Sequence, residues 1–493
     1  MKFTTVKNFS SRKKADALIL PFWETEKGAQ IATNAASSLQ SALLPVTKGD
    51  FKGKKGEISI AYDPEAKEER IFLLGLGKKE KFTDDVVRLA YFKAGREARR
   101  CHAHHVNCLL PESKELSSKK ISTESLEGIL FANYTFDALK SEKIKKETPP
   151  PVTHLSFIAL SSKEIEELER SLLVFEGVNL TRDLINGNAD TVTPQHLAEQ
   201  ATHLAKTHKN VTVTIFDKKK IEKEKMGLLL AVNQGSANEP VFIILHYKGA
   251  PKSKESTALV GKGVTYDTGG LNLKPTGSME EMKCDMSGAA AVLGTIHAAA
   301  SLGLEVNLYG VIPSTENSIS ATSFKPGDVY TAYNGTTVEI GNTDAEGRLI
   351  LADALSYTVK NLKPTRMINF ATLTGACVVA LGEECAGLFS NNEALVQEIC
   401  ASGRNTYERT WQLPLYEEYR ELLKSDIADM NNIGGRPAGA ISAAMFLREF
   451  VEKTTWAHLD IAGVAHLSKC KRYYDKGGTG FGVRLMIDLL SKT

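Results

Sequence analysis

The 493-residue sequence has no apolar run near the roughly 18 residues that a membrane-spanning helix needs. Its longest, at 227–232 and 241–245, are far shorter, so a spanning helix is not expected. Residues 1–14 are polar and lack the apolar stretch of a secretion signal. There are seven cysteines, an odd number, and none is spaced as CxxC, which argues against a disulfide framework and a thiolate zinc site. Neither sign of charge dominates: Lys+Arg 61 against Asp+Glu 59 leaves a net +2, too little for a whole-protein pull toward nucleic acid or acidic membrane. The phosphate-loop pattern GxxxxGK[ST] is absent, Tyr266 stands where a dinucleotide fingerprint needs its third glycine, and there is no HExxH. These absences point to a reduced, cytoplasmic enzyme or binding protein without membrane partners.

What remains is an ordinary globular composition, 42% hydrophobic and 24% charged, long enough for two or three domains. In the first third, apolar runs at 15–22 (ADALILPF), 70–76, 105–110 and 154–160 read as strands. Helical spacing falls at 84–101 and 125–139. A long amphipathic helix over 163–186 follows and predicts a connector. Beyond it, strands are expected at 257–266, 306–312, 337–340 and 367–373, with helices at 286–302 (stopped by Gly303) and 348–360. The expected organisation is a smaller N-terminal α/β domain over 1–165, a connecting helix and linker over 166–190, and a larger α/β domain over 191–493. The larger one should hold a mixed, mostly parallel sheet covered by helices. Active sites of such sheets lie beyond the carboxyl ends of the strands.

Two segments stand at those ends: 261–275 (GKGVTYDTGGLNLKP), continuing to Asp285, and 342–349 (NTDAEGRL). Read singly, each has an ordinary explanation. Thr343 with Glu346 forms a capping-box pattern, Cys284 reads as a small buried hydrophobe, and His297 as a packed core residue. Taken together they say more. Four carboxylates (Asp267, Asp285, Asp344, Glu346) and three cations (Lys262, Lys274, Arg348) converge on one sheet end, and buried acids need partners. Two divalent cations would balance the four acids. Asp344 and Glu346, two apart, would project to the same side of an extended segment. Oxygen-rich sites suit Mn²⁺ or Mg²⁺, and Zn²⁺ also accepts carboxylates.

These segments resemble the leucyl aminopeptidase (cytosol aminopeptidase) family: NTDAEGRL looks like its signature octapeptide, and VGKGVTYDTGGLNLKP with MKCDMSGAAAV like its other metal segment. Similar stretches lie at 371–376, 432–447, 458–464 and 478–484, so the likeness is strong over 178–490 and scattered over the first 165 residues. The resemblance implies one metal held by Lys262, Asp267, Asp285 and Glu346, and a second held by Asp267, Asp344 and Glu346. Lys262 would bind as a neutral amine. It implies that a hydroxide bridging the two metals attacks the peptide carbonyl, with Lys274 stabilising the oxyanion and Arg348 holding a bicarbonate that shuttles the proton. It further implies an apolar pocket of Met282, Thr372, Gly375 and Ala462 for leucine-like side chains on peptides with a free N-terminus, and a homohexamer. Two departures are visible: 186–190 reads NGNAD where the family often carries a proline, and Ala465 is small where some members are bulkier.

Two other functions compete. A DNA-binding architectural role would use the basic stretches 218–225 (KKKIEKEK) and 143–146, but glutamates interleave or flank them, as on a solvated face. A two-metal phosphoesterase would share the carboxylates but would not need Lys262 as a ligand.

Overall fold

The computed structural model describes residues 1–33, 39, 43–64 and 66–492. Its contacts divide into two compact units, Met1–Leu172 with Cys470–Tyr474, and Leu173–Lys469 with Asp475–Thr493. The division falls inside the helix Ser162–Asn186.

The first unit is built on a seven-stranded sheet. Ala15–Thr25 lies at its centre, parallel to both Glu68–Gly75 and His105–Cys108. Ala17 and Ile19 pack on one face and Leu18, Leu20 and Phe22 on the other. Burial on both faces explains why this strand reads as an unbroken apolar run. The helix expected at 125–139 is Ser118–Asn133 instead, because the Ser117 side chain accepts from Lys120 N and opens it earlier.

The second unit carries a nine-stranded sheet. Thr257–Gly261 lies parallel between Arg366–Ala371 and Asn307–Asn317, and Thr455–Asp460 lies parallel beyond Arg366–Ala371. Val241–Lys248 and Val211–Phe216 add antiparallel strands at one side, so the sheet is mixed and mostly parallel. Leu259, Ile368 and Phe370 face the helix Ser287–Leu302, while Ala258, Val260 and Met367 face the helix Glu346–Tyr357. Gly303, in the left-handed conformation (φ 62°), ends the first of these helices.

The strand expected at 257–266 is two strands, Thr257–Gly261 and Gly263–Asp267. The break is at Lys262, whose N–H donates to Phe370 O and whose carbonyl accepts from Ala289 N. Gly261 and Gly288 let the helix start approach: a Cβ on Gly261 would meet Gly288 O at 2.4 Å. After the break the chain pairs only with Asn307–Asn317.

Asp353, wholly buried on the helix Glu346–Tyr357, caps another element. Its carboxylate accepts from Leu228 N, Leu229 N and Tyr333 N at 3.0, 2.9 and 2.8 Å. The first two belong to the opening turn of Gly227–Asn233, which no side chain of its own caps. Asp353→Ala should therefore lower the unfolding free energy by about 3 kcal/mol, since three buried donors lose their acceptor. Urea denaturation reads the loss, and Asp353→Asn, which keeps one acceptor oxygen, should lose less.

Candidate metal centre

Lys262 enters the site from the interruption between two strands. Asp267 ends the second strand, and Asp285 lies in the turn Met282–Met286 that leads into the helix Ser287–Leu302. Glu346 opens the helix Glu346–Tyr357, where a carboxylate is favoured by the N–H groups of the first turn. Asp344 lies in the turn before it. Asp344 and Glu346 do not share an extended segment, as their spacing suggested. A turn brings their oxygens together, and one ligand atom each from Asp267, Asp344 and Glu346 lies within 4.8 Å of the others.

Two ammonium groups bridge the four acids. Lys262 Nζ is 2.9 Å from Asp285 Oδ1 and 2.8 Å from Glu346 Oε1, and it donates to Thr372 O at 3.1 Å. Lys274 Nζ is 2.9 Å from Asp267 Oδ2 and 2.6 Å from Asp344 Oδ1. Gly347 makes room for Lys262: a Cβ there would lie 2.6 Å from Nζ. Burial pushes the Asp267, Asp285 and Asp344 carboxyls above their ordinary range, and neighbouring carboxylates push them further, against the lowering effect of the lysines. Burial would lower both lysines, but the surrounding carboxylates outweigh it and raise them. Arg348 is buried, which lowers it to about 10, and its Nη1 donates to Asn432 O at 2.8 Å.

The donor set fits a hard divalent cation. It is all oxygen apart from the lysine amines, and Asp285 Oδ2 and Glu346 Oε2 are buried without accepting a hydrogen bond. Among the described residues, Asp267, Asp344 and Glu346 are the one group of three or more such side chains close enough to share an ion.

Of the residues expected to line a side-chain pocket, Thr372 adjoins the acids directly, donating from Oγ1 to Asp285 Oδ1 at 2.7 Å. Met282 begins the turn that carries Asp285. Gly375 opens the helix Gly375–Leu381, and a Cβ there would meet nothing within 4 Å. Ala462 follows the strand Thr455–Asp460.

Of the remaining expectations, some change and some hold. The capping box is not formed, because the Thr343 hydroxyl donates to Gly269 O at 2.6 Å and accepts from Asn272 N at 2.8 Å, stitching the two acidic segments together. His297 is only half-buried, since its helix face reaches the surface there; its Nδ1 lies 3.1 Å from His208 Nε2. Cys284 is buried, its thiol pushed up to about 12 by burial, and is no nucleophile. In the basic stretches, Lys220 pairs with Glu224 at 2.6 Å and Lys145 with Glu142 at 2.8 Å.

Three polar residues were not anticipated. Asn317 Nδ2 donates to Asp267 Oδ1 at 2.8 Å and to Thr343 O at 3.0 Å. Asn432 Oδ1 accepts from Gly341 N and Asn342 N at 2.8 and 3.2 Å. Asp460 joins the loops after two neighbouring strands. Asn432 and Asp460 sit inside runs already marked by resemblance, which was the available signal. Asn317 lies past the expected end of its strand and gave none.

Interlocked acids and amines at the carboxyl ends of parallel strands define an α/β enzyme with a candidate metal centre. The chain belongs to the cytosol aminopeptidase family and is an aminopeptidase: the family's catalytic domain matches residues 179–487 and its N-terminal domain residues 19–143. The likeness therefore extends into the first third, where single motifs were scattered. The chain is 48% identical to a probable cytosol aminopeptidase of Protochlamydia amoebophila (strain UWE25), over 100% of this chain and 99% of the relative. It is 49% identical to one of Chlamydia felis (strain Fe/C-56), over 98% and 97%. Among solved structures it is similar to the bottromycin maturation enzyme BotP in complex with Mn, with TM-score 0.86 and 30% identity, covering 97% of this chain and 99% of that one. An aminopeptidase family leaves no support for the phosphoesterase alternative. No helix among the described residues is long and apolar enough to cross a membrane.

Proposed function

We propose that the chain is a leucyl aminopeptidase that removes leucine and similar apolar residues from unblocked peptide N-termini with two divalent ions, Mn²⁺ or Zn²⁺. The observation that carries this reading is the convergence of Asp267, Asp285, Asp344 and Glu346 around two lysines. Lys262, Asp267, Asp285 and Glu346 would hold one ion; Asp267, Asp344 (side chain and carbonyl) and Glu346 the other. Bound there, divalent ions supply Lewis acidity and make water a nucleophile near neutral pH.

The chain's own residues supply the rest. Lys262, paired with Asp285 and Glu346, would serve an ion there as a neutral amine, its proton released to solvent. Lys274, beside Asp267 and Asp344 and still reached by solvent, keeps its proton and offers N–H donors to the oxyanion formed from the peptide carbonyl. Arg348, anchored through Nη1 on Asn432 O, would hold an anion, bicarbonate by family likeness, to take up the proton, since all four central carboxylates would serve as ligands. Met282, Thr372, Gly375 and Ala462 receive the first side chain, and burying a leucine there contributes about 2 kcal/mol. We extend to this chain the cytoplasmic location and homohexameric assembly of its family.

The test is release of leucine from leucine p-nitroanilide after dialysis against a chelator, with and without added Mn²⁺. Release restored by the metal is expected. Equal release in both arms would remove the metal from the reading.

A further inference from the structure

Asp460 is a fifth carboxylate near the site, buried at 1% exposure, and it has no place in the cage of acids. It ends the strand Thr455–Asp460 opposite Ala371. Its Oδ1 accepts from Leu373 N and from Ala462 N, both at 3.2 Å. Its Oδ2 accepts from the Thr374 hydroxyl at 2.7 Å. Thr374 Oγ1 in turn accepts from Cys377 N at 3.0 Å, capping the helix that Gly375 opens.

These bonds reach only the two segments that flank the proposed side-chain pocket: 372–375 on one wall and the loop of Ala462 on the other. The strands beneath do not depend on them, since Ala371 and Asp460 pair through the backbone and Ile461 N donates to Ala371 O at 2.8 Å. The far edge of the first wall is fixed separately, with Thr372 held by Asp285 and Lys262. A buried charge is costly, and an apolar residue would fill the same volume without that cost. What a carboxylate adds here is geometry: two oxygens that accept from both walls at once.

We propose that Asp460 is the specificity-determining positioning residue of this aminopeptidase, a clamp that sets the separation of the two pocket walls and so the size of the first side chain accepted. The inference rests on the pocket assigned above. The Asp460 carboxylate bonds to the pocket walls and is not assigned to substrate or reacting atoms. It acts through Leu373, Thr374 and Ala462.

The experiment compares kcat and KM for leucine and alanine p-nitroanilides in the Mn²⁺-loaded wild type, Asp460→Ala, Asp460→Asn and Thr374→Val, with Mn²⁺ affinity measured by calorimetry. Asp460→Ala should raise KM for the leucine substrate and lower the leucine-to-alanine preference by about tenfold, the scale on which pocket contacts discriminate side chains. Mn²⁺ affinity and kcat for the alanine substrate should stay within about twofold. Asp460→Asn should restore most of the preference, because its amide oxygen can accept both N–H groups while its NH₂ donates to the Thr374 hydroxyl. Thr374→Val, which removes one arm and keeps the fold, should fall between and decides the matter if Asp460→Ala fails to fold. The clamp is overturned if Asp460→Ala and Thr374→Val keep the wild-type preference, or if Mn²⁺ affinity falls with kcat for both substrates alike. A wild type that releases alanine as readily as leucine overturns the pocket assignment itself, and the clamp with it.

Discussion

Replacing Asp285 by alanine is expected to lower kcat for leucine p-nitroanilide by a thousandfold or more, on the order of 4 kcal/mol of lost transition-state stabilisation. Asp285 holds Lys262 at 2.9 Å and accepts from Thr372 at 2.7 Å, so the change strips a ligand, unbalances a buried lysine and frees the pocket wall together. Removing one partner of a buried pair is itself destabilising, by about 3–5 kcal/mol. Asp285→Asn, which preserves shape and the Thr372 contact, therefore separates chemistry from folding. It should fold with a near-native melting temperature, bind Mn²⁺ more weakly and turn over almost as poorly as the alanine variant. Glu346→Ala should behave in the same way. Activity within a few-fold of wild type in a folded Asp285→Asn protein would contradict the assigned centre.

N-acetylation of the substrate is expected to have an effect at least as large. A site that receives a free amine among acidic ligands loses a charged partner when that amine is acylated, and must also accommodate the acyl group. Sites built to engage a substrate N–H discriminate against analogues without it by about 10⁴–10⁵. Acetyl-leucine p-nitroanilide should accordingly give no detectable release under conditions where the free amine is cleaved rapidly. A mass-spectrometric assay on a peptide and its acetylated twin checks this without a chromogenic group. Cleavage of both at similar rates would indicate an endopeptidase-like groove, which the family does not suggest.

Much of this was legible in residue order, for identifiable reasons. The strand at 15–25 declared itself because both its faces are buried, and the two acidic segments because so many charges follow apolar runs. Other features were hidden by physics that spacing cannot express. Residues 257–266 read as one strand, and the interruption at Lys262 is set by Gly261, Gly288 and a helix arriving from elsewhere. Asp344 and Glu346 were paired for the wrong reason: a turn aims them, where an extended segment had been expected. The spacing suggests a cap for the Thr343 hydroxyl, but Asn272 N, 71 positions away, donates to it instead. Asn317 and Asp460 bind partners 50 and 87 positions distant, which only the sheet order brings within reach. The N-terminal unit kept its family likeness in overall pattern, which a search for short motifs passes over.

The interruption at Lys262 also carries a kinetic consequence. The amine is aimed into the cage only after the strand after residue 256, the small-residue helix and the segment ending at Glu346 have docked on one another, contacts that span more than eighty positions. Long-range contacts of this kind form late when a chain matures. The cage is therefore a property of the completed tertiary fold, and a chain in which these segments have yet to dock has no lysine among its acids.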